Sequence, residues 1–142
     1  VIRDAITYPR PGDDWTVPDL GMEFVWIKAL KLWVGKYEVT NAEYRAYKAY
    51  HDSKKFEGQS LNGDRQPVVF VNFGDACAYA AWLTEREDVA GRLTDGLRYR
   101  LPTEEEFVAY AQCGDGRTYP WGNEGPPQSG RAGNYCGAEG AD

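Results

Sequence analysis

The sequence predicts an α+β domain with little regular secondary structure, containing two or three short helices and a few strands. Three observations carry that prediction. The run MEFVWIKALKLWVGKYEV (22–39) is rich in β-favouring residues. Three segments place Thr or Asn three residues ahead of Glu or Asp, at the head of a helical apolar pattern. The stretches between them, and everything after Gly114, are dominated by Gly, Pro, Asn and Asp, the residues of turns and loops.

Residues 1–21, rich in Pro, Gly and Asp, read as an irregular lead-in. The run 22–39 then reads as two short strands on either side of KALK (28–31). Thr40 and Glu43 form a capping box, and Tyr44, Tyr47 and His51 recur at helical spacing, which predicts a helix over about 41–51. SKKFEGQSLNGDRQP (53–67) reads as a loop, because Pro67 disfavours helix at the residue before it. VVFVNF (68–73) is either a short strand or an extended approach to the next helix. That helix starts at Asn72 and Asp75 and carries an apolar stripe of Ala76, Tyr79, Ala80 and Leu83. Thr103 and Glu106 cap a third helix, whose buried face is expected to be Phe107, Tyr110 and Ala111.

Composition narrows the function classes. A formal charge of −6 over 142 residues, with Lys and Arg scattered among acids, excludes the basic field that a nucleic-acid backbone requires. No apolar run is long enough to span a membrane, and the first residues lack a signal-peptide layout. The chain opens on Val and closes on a Gly-rich stretch, which suggests an excised, processed or truncated piece. With 5 Trp and 10 Tyr, the loops are expected to be held by packed rings.

The candidate chemical groups mostly read as structure. Glu104, Glu105 and Glu106 occupy a helical first turn, where free N–H groups and the helix dipole favour negative charge. Nothing spaced like a zinc-protease or calcium-loop motif accompanies them. Glu38 and Glu43 read the same way, and His51 reads as a carbonyl partner or surface residue. Cys77 is expected to be a small buried residue. Cys113 and Cys136 are open to a disulfide or reactive role, and three cysteines are too few for a disulfide scaffold or a structural zinc site. Trp121, Gly122 and Asn123 read as a loop anchor. The alternative is a ligand or ion site using Asn134 and nearby carbonyls, hard oxygen donors suited to calcium.

Four segments appear in a telling order: GKYEVTNAEYRAY (35–47), RQPVVFVNFGDACAYAAWL (65–83), YRLPTEEEFVAYAQCG (99–114) and YPWGNE (119–124). Together they resemble formylglycine-generating-enzyme domains, also called sulfatase-modifying-factor domains, over residues 22–136. The resemblance implies a C-type-lectin-like fold, with its helices around small twisted antiparallel sheets. It implies that 22–142 is the N-terminal portion of one such domain, with the C-terminal part absent. Phe107 stands where relatives usually place Trp.

Members of this family divide in function. Some are oxidoreductases that use copper and dioxygen to convert a peptide cysteine to formylglycine. Others are non-catalytic lectin-like modules, including retroelement-diversified variable proteins, that bind a ligand. The copper-holding cysteine pair lies in the C-terminal part of such domains, so the resemblance assigns no catalytic role to Cys77, Cys113 or Cys136. Copper is therefore expected only in the full-length domain. Calcium ligands lie mostly downstream of Asn134, so Asn134 and Tyr135 would begin a calcium region. The expected partners are a complementary C-terminal fragment or an oligomeric copy, which would cover open strand edges, together with a peptide, protein or glycan ligand.

Overall fold

Two short apolar runs on either side of a four-residue turn make an antiparallel hairpin. In the computed structural model, which describes residues 8–94, 96–113, 117, 118 and 123, three strands form this sheet. They are β1 (Trp15–Thr16), β2 (Glu23–Ile27) and β3 (Leu32–Gly35), in the order β1-β2-β3. The register pairs Phe24 with Gly35, Val25 with Val34, Trp26 with Trp33 and Ile27 with Leu32. The expected turn at 28–31 is present, with Lys31 at φ 50 and the Leu30 N–H donating to the Ile27 carbonyl at 3.1 Å. Trp26 and Trp33 meet edge to face with ring centroids 4.6 Å apart.

From Trp15 onward the lead-in joins the sheet, which its composition did not suggest. Trp15 pairs with Phe24, and both Trp15 and Val17 belong to the buried core. Their Trp-x-Val alternation is a strand signal that the flanking Asp and Pro residues obscured. Polar anchors complete the attachment: Asp14 Oδ1 accepts from the Trp26 N–H at 2.9 Å, and the Asp13 carbonyl accepts from Trp33 Nε1 at 2.8 Å.

α1 (Asn41–Arg45) is much shorter than the expected 41–51. Beyond it the chain turns, with the Tyr44 carbonyl accepting from both Tyr47 and Lys48. Arg45 explains the early stop. Its guanidinium reaches the His51 carbonyl at 3.2 Å, the Asn62 carbonyl at 3.1 Å and Asn62 Oδ1 at 2.7 Å, so the turn that ends at His51 is tied to the loop at Asn62 instead of continuing as helix. The aromatic spacing still brings rings together: Tyr44 lies 5.9 Å from Tyr47 and 4.8 Å from His51.

The segment read as a plain loop contains a two-stranded ribbon, β4 (Lys55–Phe56) and β5 (Gln59–Ser60). Glu57 and Gly58 both take positive φ, 48° and 80°, as a tight hairpin turn with right-handed strand twist requires. Residues 67–71 form no strand beyond one bridge between Thr40 and Pro67, and the chain bends at Phe70, whose φ is 58°. α2 (Phe73–Val89) follows, and α3 (Glu104–Ala111) comes after the return loop.

The chain divides into two compact units, Val1–Leu101 and Pro102–Asp142. The core of the first is Trp15, Val17, Met22, Tyr44, Tyr79 and Leu83. Around it, Tyr44, Tyr47, Tyr79 and Trp82 stack with centroid spacings of 5.4–6.0 Å, so rings rather than long helices fill the interior. In the second unit α3 has no fully buried residue, and Phe107 is 54% exposed. The buried face expected of α3 is therefore corrected: the Phe107 ring packs edge to face on Tyr110, one turn away, at 5.3 Å. Among the described residues, no helix is long and apolar enough to cross a membrane.

Candidate functional site

The three helix starts use the same reciprocal chemistry. Thr40 Oγ1 accepts from the Glu43 N–H at 3.3 Å, while Glu43 Oε2 accepts from the Thr40 N–H at 2.7 Å. Asn72 Oδ1 and the Asp75 N–H meet at 2.8 Å, and Asp75 Oδ2 takes the Asn72 N–H at 3.1 Å. Thr103 Oγ1 accepts from Glu106 at 3.2 Å, and Glu106 Oε1 accepts from the Thr103 N–H at 2.8 Å. Each carboxylate is thus engaged with backbone donors, which suits a cap and disfavours a free general base. Asp75 Oδ1 additionally accepts from Lys48 Nζ at 3.4 Å, tying the turn after α1 to the start of α2. Hydrogen bonding by the Asn72 backbone, aided by Lys48, holds the Asp75 carboxyl below its ordinary range.

Above the core of the first unit lies an apolar cleft of about 300 Å³. β2 contributes Phe24 to its lining, α1 contributes Tyr44, and α2 contributes Tyr79, Ala80 and Leu83. Val68, Val71 and Tyr99 close the other side. The small Ala76 and Ala80 leave the space that a larger side chain on this face of α2 would fill. Glu23, Glu43, Arg100 and four tyrosines supply its polar groups, and burial acts on two of the phenols. The Tyr79 hydroxyl is 3.2 Å from the Glu43 carbonyl and 3.4 Å from Met22 Sδ, while the Tyr99 hydroxyl accepts from Trp15 Nε1 at 3.0 Å. Burial pushes the Tyr99 phenol up to about 12 and raises Tyr79 further, so both are neutral near pH 7 and neither is a phenolate base there. The cleft can take up apolar or aromatic groups.

Two polar clusters flank this region, and the sequence reading missed both. Asn41, fully buried, donates from Nδ2 to the Leu61 and Gly63 carbonyls at 2.8 Å each. Its Oδ1 accepts from the buried Ser53 Oγ at 2.6 Å. Ser53 Oγ in turn accepts from the Val69 N–H at 3.2 Å, and the Val69 carbonyl accepts from His51 Nε2 at 2.8 Å. A carbonyl only accepts, so Nε2 carries the hydrogen and His51 is a structural donor. No sequence signal distinguishes Asn41 from an ordinary first-turn residue.

The second cluster centres on Glu87, whose side chain is 0% exposed. Arg86 and Arg92 both donate to its carboxylate, the latter through Nε and Nη2, and Asp19 sits 3.7 Å from Arg86. A signal did exist here. Tyr79, Leu83 and Glu87 recur every four residues, which carries a carboxylate onto the buried stripe of α2.

Cys77 corrects another expectation, because its thiol is exposed. It sits two residues, roughly 200° of helix rotation, from Tyr79, and therefore on the opposite face of α2. Cys113 is exposed too. Glu104 and Glu105 are exposed at the start of α3. Asn123 Oδ1 accepts from the Thr118 N–H at 2.8 Å. Trp121, Gly122, Asn134, Tyr135 and Cys136 lie outside the described residues. Among the described residues, no group of three or more His, Cys, Asp or Glu could hold a metal ion.

Comparison with known proteins places this framework. The family model for the sulfatase-modifying factor enzyme 1-like domain matches residues 21–139. A formylglycine-generating enzyme of Thermomonospora curvata is 41% identical over 83 residues, covering 56% of this chain and 22% of that protein. An inactive C-alpha-formylglycine-generating enzyme 2 of Mus musculus is 45% identical over 62 residues, covering 43% of this chain and 16% of that protein. A formylglycine-generating enzyme of Mycobacterium tuberculosis is 43% identical over 61 residues, covering 43% and 16% respectively. The matched stretches thus span less than a quarter of these relatives' own length. No solved structure matches significantly. With the family model covering most of its length, the chain belongs to the sulfatase-modifying factor enzyme 1-like domain family, that of the formylglycine-generating enzymes.

Proposed function

We propose that this chain is the scaffold-bearing N-terminal part of a formylglycine-generating oxidoreductase, which converts a cysteine of a peptide substrate to formylglycine with dioxygen as the oxidant and release of the cysteine sulfur. The observation that carries the reading is the 41% identity to a protein named as a formylglycine-generating enzyme, within a family match over 21–139. Copper belongs to this reading only through residues outside those described, and calcium only through the region begun by Asn134 and Tyr135. The aromatic core, the three capping boxes and the Asn41 and Glu87 clusters support a rigid framework for such a site. The test uses the full-length protein, copper and a cysteine-containing peptide, with the product aldehyde trapped by a hydrazide and read by mass spectrometry. Conversion of the cysteine is expected. An unchanged peptide, with no thiol-dependent copper binding, overturns the reading.

A second reading has its own observation: relatives from Mus musculus and Bos taurus, 45% and 42% identical over 62 residues, are named as inactive. Under it, the domain is a non-catalytic lectin-like module that binds a peptide, protein or glycan. Stoichiometric ligand capture without cysteine conversion would select this reading over the first. In both readings the apolar cleft of the first unit is covered by a complementary C-terminal part of the domain or by a second copy. A monomer of these 142 residues that binds no apolar dye would overturn that. Calcium is tested separately, by chelation: an unmoved melting temperature of the full-length protein removes it.

A further inference from the structure

We draw no further inference here: the strongest candidate, the half-buried aliphatic face of the three-stranded sheet that carries Val25, Ile27, Leu32 and Val34, has nothing among the described residues to show what covers it.

Discussion

α2 and α3 begin alike and are held differently. Each opens on a polar residue in extended conformation, with a reciprocal pair of side chain–backbone hydrogen bonds three residues apart. Yet α2 runs for 17 residues and buries Tyr79, Leu83 and Glu87, whereas α3 runs for 8 and fully buries none. The difference separates two jobs that one sequence pattern tends to merge. A cap decides where a helix starts, by satisfying N–H groups that have no partner in the helix. Burial decides how firmly it is held, because a short isolated helix is marginal in water. The two helices can therefore be told apart by what breaks them.

The largest effect is expected at Glu87. Removing one partner of a buried ion pair strands the others, which costs about 3–5 kcal/mol. Arg86 and Arg92 keep 26% and 19% of their side chains open to solvent, so water can recover part of that loss. Glu87→Ala should therefore lie near the lower end, about 3 kcal/mol, in urea unfolding monitored by tryptophan fluorescence. Glu87→Gln keeps the shape and one acceptor and should cost less. Equal losses for the two variants would show that the charge, absent from both, and not side-chain packing, absent only from the Ala variant, fixes the end of α2.

Next comes a matched pair of apolar deletions. Leu83 is 2% exposed, and Leu83→Ala should cost about 2–5 kcal/mol through lost burial and the cavity left behind. Phe107, at 54% exposed on α3, should cost no more than about 0.5 kcal/mol when cut to Ala. A Phe107→Ala loss as large as that of Leu83→Ala would abolish the distinction between the helices.

The caps sharpen the same comparison at lower amplitude. Asn72→Ala and Thr103→Ala should each cost about 1 kcal/mol locally. At α2, which is bound into the core, the loss should appear in the global unfolding midpoint. At α3 it should appear as faster amide exchange in the first turn, with the midpoint unmoved. A shift of the midpoint by Thr103→Ala equal to that of Asn72→Ala would mean that α3 is as strongly coupled to a core as α2.

These contrasts also mark what the chain announces about itself. Capping boxes are legible because both partners sit three residues apart, so Thr40, Asn72 and Thr103 mark their helix starts locally. The hairpin around 28–31 is legible for the same reason. Helix ends and burial are not local. The early end of α1 depends on Arg45 meeting Asn62, and the Asn41–Ser53 bond joins residues 12 apart through a loop. Exposure of Cys77 and Phe107 depends on which neighbours reach each helix face, information that apolar character alone does not carry. The polar clusters beside the cleft were hidden likewise, except that Glu87 continues a four-residue repeat. Reaction chemistry is the least legible, because the carboxylates that could carry it read as caps and the described residues bring together no group of three or more His, Cys, Asp or Glu.

The smallest expected effect concerns the acid response of the α2 cap. Asp75 is held below its ordinary value of 3.8 by hydrogen bonding at the Asn72 backbone and by Lys48. A carboxylate whose folded-state pKa is depressed contributes its stability in full above the unfolded-state value, and loses it as pH falls through the folded one. The contribution of Asp75 should thus be intact at neutral pH and fade at and below about 4. Asp75→Asn keeps a side-chain oxygen to accept the Asn72 N–H but cannot titrate. Its melting temperature should be modestly lower than that of the unsubstituted chain at pH 7, and the two should converge as the pH approaches 3. Added salt should narrow the gap at pH 7, since the Lys48–Asp75 pair is partly open to solvent. Parallel melting curves across that pH range would show that the carboxylate charge contributes nothing to the start of α2, leaving the cap to hydrogen-bond geometry alone.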